Sequence, residues 1–291
     1  MNKLKYGIVI LLLLLVFKSG TAQNSILWEI SGNGLKSPSY LLGTLKFIGK
    51  KEFYLPSQVT TRIKSCQIFA IEDQVDHHAQ HELNKALHFP KGQSLSTQLN
   101  ATDYKLVQEF FQKEFGIDKS LFESKYANVK PLALSILMTR LSLGEKVKFY
   151  DIELLKYANK QNLESYSLES VDREAEALNT FPMEAQVKAL LHSVGNFETQ
   201  KSEYKKLMSD YPKGNLDEIF EYTLHPTENN PLFLDEFYYR RNEEWLPKIE
   251  KMMTDKTAFI AVGVSHLEGD RGLLALLKGK GYTLTSVQIK N

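Results

Sequence analysis

The feature that most constrains the fold is an apolar run, Ala258 to Val262, which ends at Gly263 and is followed three residues later by His266. Short continuous apolar segments of this kind are typical of strands that are covered on both faces. In open α/β sheets, ligands bind beyond the carboxyl ends of the strands, and a glycine there allows close approach to the backbone. The run therefore predicts a central strand with His266 at the rim of a site. An isolated Gly-x-x-His would equally fit a histidine with only a structural role.

The same pattern occurs near the other end of the chain. An apolar strand-like segment, Ser39 to Leu42, ends at Gly43 and is followed three residues later by Lys46. Two strand-Gly-x-x-polar units suggest two strands of one sheet that converge on one site. We therefore treat Gly43 and Gly263 as candidate ligand-binding positions. The unit that follows Gly43 has a lysine, Lys46, where the unit that follows Gly263 has His266.

The remaining periodicity predicts an α/β fold. Turn residues between Leu27–Ser31 and Ser39–Gly43 favour an opening β-hairpin. Further strands are predicted at 67–71, 165–168 and 282–289, and helices at 56–64, 100–115, 131–143, 151–161, 182–210, 215–224, 230–253 and 272–277. The fold class that we predict is α/β, with a central mixed β-sheet, two strand-Gly-x-x-His/Lys units and a large α-helical insertion.

Two glutamates follow predicted strands directly. Glu72 comes after the strand at 67–71, and Glu169 comes after the strand at 165–168. A carboxylate at the end of a buried strand is costly unless it has a partner, although Glu72 could also be a surface residue that ends its strand. Together with His266, the two carboxylates are suited to divalent-metal binding or to acid–base chemistry.

Arg241 and Asn242 lie on a predicted helix late in the chain. A guanidinium is well suited to bidentate contact with a carboxylate. Three roles fit Arg241: it holds Glu169 or Glu72 in place, it binds a carboxylate of the substrate, or it is an ordinary residue of the helix surface. We include Arg241 and Asn242 among the candidate ligand-binding residues.

Three of the seven histidines cluster at His77, His78 and His81. On a helix, His81 lies one turn from each of the other two, so either pair could share a metal. The glutamate that a zinc-protease His-Glu-x-x-His helix carries between its histidines is missing. We therefore expect a solvated helix face, with a metal site as the alternative.

The amino-terminal residues resemble a secretory signal. Lys3 and Lys5 precede an apolar run that is shorter than the about 20 residues of a membrane span, and small residues precede Gln23. We expect residues 1–22 to be a cleaved signal peptide and residues 23–291 a single domain, exported to a periplasm or secreted. Membrane attachment is expected only through an uncleaved signal segment.

Composition excludes some classes of partner. Cleavage of residues 1–22 would remove three lysines and leave 33 basic residues against 35 acidic ones, so the mature chain would be nearly neutral. No basic stripe with interleaved aromatic residues is present, and we expect no nucleic-acid partner. The single cysteine, Cys66, cannot form an internal disulfide.

The segments LWEISGNGLKSPSYLLGT, from Leu27, and FIAVGVSHLEGDRGLL, from Phe259, resemble the opening and closing signatures of the TraB/GumN family (TraB/PrgY/GumN), which includes the Tiki proteins. The resemblance implies a metallopeptidase-like hydrolase that uses two Gly-x-x-His motifs and a glutamate. It also implies site roles for Glu72, for Glu169 and for the Arg241-Asn242 pair. His266 and Glu72 would be metal ligands, and the cofactor would be Mn²⁺, Co²⁺ or Zn²⁺.

Lys46 departs from the pattern of the family. An ammonium has no lone pair to offer a metal, and it could instead pair with Glu72 or Glu169. A lysine base or nucleophile would need an apolar site without carboxylates. We therefore expect weakened or lost metal catalysis, as in a pseudoenzyme. The alternatives are an active metal-dependent hydrolase or peptidase, and a protein that binds a peptide or small ligand without cleaving it.

The first prediction concerns processing. We expect the exported protein to begin at Gln23, because the small residues before it suit signal peptidase. An intact-mass measurement of the exported protein checks this. A mass that includes Met1 to Ala22 would contradict it.

Overall fold

The computed structural model describes residues 25–73, 75, 77–144, 146–223 and 230–289 of the 291-residue chain. The predicted signal peptide, residues 1–22, lies outside the described residues. Among the described residues, no helix is both long and apolar enough to cross a membrane.

The strands are β1 Leu27–Gly32, β2 Ser39–Thr44, β3 Ile48–Gly49, β4 Ile68–Ile71, β5 Val147–Lys148, β6 Glu164–Ser167, β7 Ala258–Gly263 and β8 Tyr282–Ser286. The helices are α1 Ser57–Lys64, α2 His77–Ala86, α3 Leu95–Gln98, α4 Ala101–Phe115, α5 Lys119–Lys125, α6 Pro131–Ser142, α7 Tyr150–Lys160, α8 Val171–Asn179, α9 Met183–Gly195, α10 Phe197–Asp210, α11 Leu216–Thr223, α12 Pro231–Leu234, α13 Arg240–Asp255 and α14 Leu273–Gly279. Short 3₁₀ turns cover Tyr211–Lys213 and Val264–His266, and a π-helical turn covers Asp235–Tyr239.

Six of the described strands form one mixed sheet in the order β6-β4-β7-β2-β1-β8. Strands β6, β4, β7 and β2 are parallel, whereas β1 runs antiparallel to both β2 and β8. Strand β7 is central, and Ala258 to Val262 are all buried. The predicted central strand and the mixed sheet are therefore confirmed, and β3 and β5 form a separate two-stranded sheet.

The opening hairpin owes its turn to residues that tolerate positive φ. Gly32, Asn33 and Gly34 have φ values of 76°, 46° and 81°, a region that suits glycine and asparagine but few other residues. The turn returns the chain so that Leu27 lies opposite Leu42. The hairpin thereby brings Gly43 and the residues that follow it alongside β7.

A helical part has an apolar core of its own; most of its helices are inserted between β4 and β6, and α9, which follows β6, completes it. Helices α4, α5 and α6 pack there with α9, and the buried side chains include Phe110, Phe111, Phe122, Leu134 and Leu190. Asn100 caps α4 by accepting a hydrogen bond from the backbone N–H of Asp103, and Gly116 ends it with a φ of 68°. The predicted helical insertion is confirmed.

Several element boundaries differ from the sequence-based prediction. The predicted helix at 182–210 is two helices, because Gly195 ends α9 and Asn196 leaves helical geometry before α10 begins. The predicted helix at 230–253 is interrupted by a π-helical turn at Asp235–Tyr239. Pro247 lies inside α13, and the helix continues past it to Asp255. The last strand ends at Ser286 instead of Ile289, and helix α8 was not predicted.

The sheet topology decides where functional side chains can meet. The carboxyl ends of the four parallel strands share one edge, with Thr44 of β2 opposite Gly263 of β7 and Ile71 of β4 opposite Ala261. Just beyond that edge, the N–H of Glu169 donates to the carbonyl of Glu72 at 3.0 Å. Residues that follow these strands are therefore neighbours in space despite their separation in sequence.

Candidate functional site

Arg241 is the most deeply buried charge at this edge, with none of its surface exposed. Its Nε donates to both carboxylate oxygens of Glu169, at 2.9 and 3.1 Å, and its Nη2 donates to Glu169 as well. Nη2 also lies 3.5 Å from Oε2 of Glu72, and Nη1 donates to the carbonyl of Phe237 at 2.8 Å. Of the three roles that the sequence left open, the structure gives Arg241 the first, holding carboxylates in place.

Glu169 is buried and its carboxylate is fully engaged. Besides Arg241, Nε1 of Trp245 donates to Oε2 of Glu169 at 3.1 Å. Burial raises the pKa of Glu169, and the hydrogen bonds from Arg241 and Trp245 oppose that rise. In this arrangement Glu169 anchors Arg241 and has no oxygen turned to a substrate.

Glu72 lies between the backbone of β7 and His266. Its Oε1 accepts a hydrogen bond from the N–H of Gly263 and lies 3.8 Å from Nε2 of His266. A Cβ at Gly263 would lie only 3.0 Å from that oxygen, which explains the glycine. Gly263 therefore binds Glu72 directly, through its backbone.

Gly43 has a packing role. A Cβ at this position would lie 2.7 Å from Leu267 and 2.9 Å from Val264, so β2 could not lie against the turn that carries His266. The carbonyl of Gly43 accepts a hydrogen bond from the hydroxyl of Tyr211 at 2.5 Å. The glycine thus brings the two strand-Gly-x-x units together, and its backbone carbonyl is already engaged by Tyr211.

His266 is buried, and its tautomer follows from the position of Asn242. The Asn242 Nδ2 lies 3.2 Å from the carbonyl of His266 and 3.0 Å from the carbonyl of Arg271, so the amide nitrogen donates to both. The amide oxygen must then face Nδ1 of His266, which it meets at 2.7 Å. An oxygen can only accept there, so Nδ1 carries the proton and Nε2 carries the lone pair.

The electrostatic surroundings keep this imidazole neutral. Burial, and then the charge of Arg241, hold the pKa of His266 well below its usual range. The ring also lies between aromatic side chains, 4.5 Å from the Trp245 ring and 5.1 Å from the Tyr238 ring. A neutral imidazole with its lone pair on Nε2, facing Glu72 and Arg241, can act as a base or as a ligand.

Lys46 pairs with a residue that the sequence interpretation did not include. Its Nζ lies 3.5 Å from Oε1 of Glu174 on α8, whereas the sequence suggested Glu72 or Glu169 as the partner. The Lys46 side chain is 55% exposed and that of Glu174 only 7%. The carboxylate of Glu174, with those of Glu72, Asp73 and Asp151, raises the pKa of Lys46. Lys46 is therefore an ammonium at neutral pH and neither a base nor a metal ligand.

Three carboxyl groups near Lys46 have shifted pKa values, those of Asp73, Asp151 and Glu174 itself. Burial, together with the charges of Glu174 and Glu72, raises the pKa of Asp73 to about 10. Burial and Glu72 raise that of Asp151 to about 7, although Asp151 accepts a hydrogen bond from the Thr44 hydroxyl at 2.9 Å. Burial also disfavours ionised Glu174, but Lys46 and the hydrogen bond from Asp73 outweigh it and lower its pKa.

Sequence reasoning missed Glu174, although a signal was present. The buried positions of α8 are Val171, Glu174 and Ala177, which recur every three residues and define the inward face. A glutamate on that face must have a partner if it is buried. Recognising the helix would therefore have identified Glu174 as a site candidate.

The donor groups do not fit the divalent metal that the sequence resemblance implies. Among the described residues, only His266 Nε2 and Glu72 Oε1 meet as neutral and anionic donors, and protein sites commonly supply three or four ligands. The described part of the chain contains no group of three or more His, Cys, Asp or Glu side chains that could hold a metal ion. Arg241 lies 3.5 Å from His266 Nε2 and from Glu72 Oε2, and the third expected ligand is the Lys46 ammonium.

The histidine cluster lies on α2. The side chains of His78 and His81 are exposed, as a solvated helix face requires, and Nε2 of His81 lies 4.0 Å from Oε1 of Glu82. The side chain of His77 is outside the described part of the chain.

Comparison with known proteins gives a family match. A model of the TraB/PrgY/gumN family matches residues 26–286. A protein of Amphimedon queenslandica named metalloprotease TIKI homolog is 23% identical over 325 aligned residues, which cover 93% of this chain and 63% of the relative. The chain thus spans less than two thirds of the length of that relative. No solved structure matches the chain.

The second prediction concerns the His266 tautomer. In the parent protein, we expect ¹⁵N NMR to show the proton on Nδ1, because Asn242 offers only its oxygen there. Asn242→Ala should shift the equilibrium toward the Nε2–H form, which is the more common tautomer of free imidazole side chains in water. Asn196→Ala, which alters an exposed asparagine that caps a helix junction, is the control. An Nε2–H signal in the parent protein would contradict the assignment.

Proposed function

The chain belongs to the TraB/PrgY/gumN family. We propose that it is an exported member with weakened or lost metal-dependent hydrolysis, and that it binds a peptide or small ligand at its cleft, the name used for the site formed by Lys46, Glu72, Glu169, Glu174, Arg241 and His266. Within this proposal, cations of the chain itself occupy the places where a catalytic metal would interact with the carboxylates. The chain keeps the fold and several site residues of a hydrolase family.

The observation that carries the proposal is the placement of Lys46. It stands three residues after Gly43, at the end of a strand adjacent to the one that leads to His266, and its ammonium pairs with buried Glu174. A metal ion at this position would meet a positive charge instead of a lone pair. Arg241, which is held by several hydrogen bonds, adds a second cation beside His266 and Glu72.

An active hydrolase is the second candidate, and one observation favours it. The Nε2 lone pair of neutral His266 lies 3.8 Å from a carboxylate oxygen of Glu72. Those two groups alone could hold a water molecule between them and accept its proton. The amide-cleaving activity of the family would then have to proceed without the third expected ligand.

The third prediction separates these candidates by metal affinity. We expect calorimetry to show weak or no binding of Mn²⁺, Co²⁺ or Zn²⁺ to the parent protein. Lys46→His should raise the affinity about tenfold or more, which corresponds to about 1.4 kcal/mol, because it supplies a lone pair and removes a charge.

The control for that experiment is Lys256→His, because Lys256 pairs with Glu164 at the opposite end of β6 and should leave metal binding unchanged. A peptidase assay on the same preparations reports activity. Tight stoichiometric metal binding by the parent protein that disappears in His266→Ala would refute the proposal and favour the active hydrolase.

A further inference from the structure

The cleft contains more carboxyl groups than positive charges. Arg241 is committed to Glu169 and Glu72 and Arg173 to Glu244, whereas Lys46 is the cation that lies beside Glu174. His266 is neutral. Around Arg241 and Lys46 lie five carboxyl groups, on Glu72, Asp73, Asp151, Glu169 and Glu174.

Two buried carboxyl oxygens receive no hydrogen bond from outside their own pair. Oε2 of Glu174 and Oδ1 of Asp73 are buried, and no described residue other than Asp73 and Glu174 themselves donates to them. Glu174 as a whole is only 5% exposed, so solvent does not compensate it. Buried acceptors without donors are rare in folded proteins, and each calls for an explanation. Both of these belong to one pair, because Asp73 also hydrogen-bonds Glu174.

The contact between the Lys46 ammonium and Glu174 is longer than a hydrogen bond. The 3.5 Å between Lys46 Nζ and Glu174 Oε1 exceeds the usual length of an N–H···O hydrogen bond, about 2.7 to 3.2 Å. The Lys46 side chain is also 55% exposed, so Lys46 can be hydrated when another ammonium takes its place beside Glu174. Arg241 offers the contrast, since it is fully buried and makes several short hydrogen bonds.

We propose that the Asp73–Glu174 pair is a binding subsite for a primary ammonium group of a ligand, such as the α-amino group of a peptide, and that Lys46 is a tethered competitor for it. A primary ammonium has three donors, and the pair offers two oxygens to which no other described residue donates, beside the one that Lys46 approaches.

An organic ammonium fits this pair better than a metal ion does. A divalent metal needs several ligands in one shell, and its double charge would be repelled more strongly by Arg241 and Lys46. A monovalent ammonium replaces the Lys46 ammonium like for like, so the charge of the Glu174 environment is unchanged. The displaced lysine is then hydrated.

This inference rests on the proposed function, because it says where the amino group of a ligand bound at that site would lie. The two can nevertheless fail separately. Tight metal binding by the parent protein would refute the proposed function, whereas the ammonium subsite is tested in buffer that contains a chelator and no added metal.

The test compares trialanine with its N-acetylated form by calorimetry. The parent protein should bind the free-amine peptide about tenfold more tightly than the acetylated one, because acetylation removes the charge and two donors. Lys46→Met should strengthen binding of the free peptide severalfold and leave the acetylated peptide unaffected, since the competitor is gone. Lys256→Met is the matched control, because it removes a lysine–glutamate pair outside the cleft.

A second set of variants removes the carboxylate that would accept hydrogen bonds from the ligand. Glu174→Gln should abolish the preference for the free amine, whereas Glu164→Gln, at the exposed amino end of β6, should retain it. If Glu174→Gln does not fold, Asp73→Asn provides the same test. The proposal is overturned if both peptides bind equally, if Glu174→Gln keeps the preference, or if neither the parent protein nor Lys46→Met binds the free peptide at millimolar concentration.

Discussion

The interaction on which the site depends is the buried pair of Arg241 and Glu169. Isolated carboxylates at the carboxyl ends of buried strands would cost several kcal/mol each, so a site that gathers them needs fixed positive charge. Arg241 supplies it to two strands at once, through short hydrogen bonds to Glu169 after β6 and a 3.5 Å contact to Glu72 after β4. The sheet can therefore end in acidic residues without exposing its core.

Helix α13 places the groups that organise this edge. Three of its side chains are buried, those of Arg241, Asn242 and Trp245. Arg241 and Trp245 both donate hydrogen bonds to Glu169, and the amide oxygen of Asn242 accepts one from the imidazole of His266. The π-helical turn immediately before α13 changes the direction in which side chains point, and its Phe237 carbonyl accepts from Arg241. One helix thus sets both the charge of the carboxylates and the tautomer of the histidine.

Sequence reasoning recovered the sheet but not the pairing of its charges. Continuous apolar runs and glycines carry strong local signals, so the hairpin, β7 and the positions of Lys46, Glu72, Glu169 and His266 could be placed beside one edge. The partner of a charge depends on three-dimensional packing that no local pattern encodes. For that reason Arg241 had three open roles, Lys46 was assigned to the wrong carboxylate, and Glu174 was overlooked on a helix that was not predicted.

A double-mutant cycle tests most directly whether fixed cations hold the buried carboxylates. Arg241→Met and Glu169→Gln are made singly and together, and the free energy of unfolding is measured with urea. Arg241→Met should cost about 3 to 5 kcal/mol, because it leaves buried charges without a partner. The double variant should be more stable than the sum of the single losses implies, by about 1 kcal/mol or more. Losses that add to within about 0.5 kcal/mol would contradict the account, because the two side chains would then contribute independently.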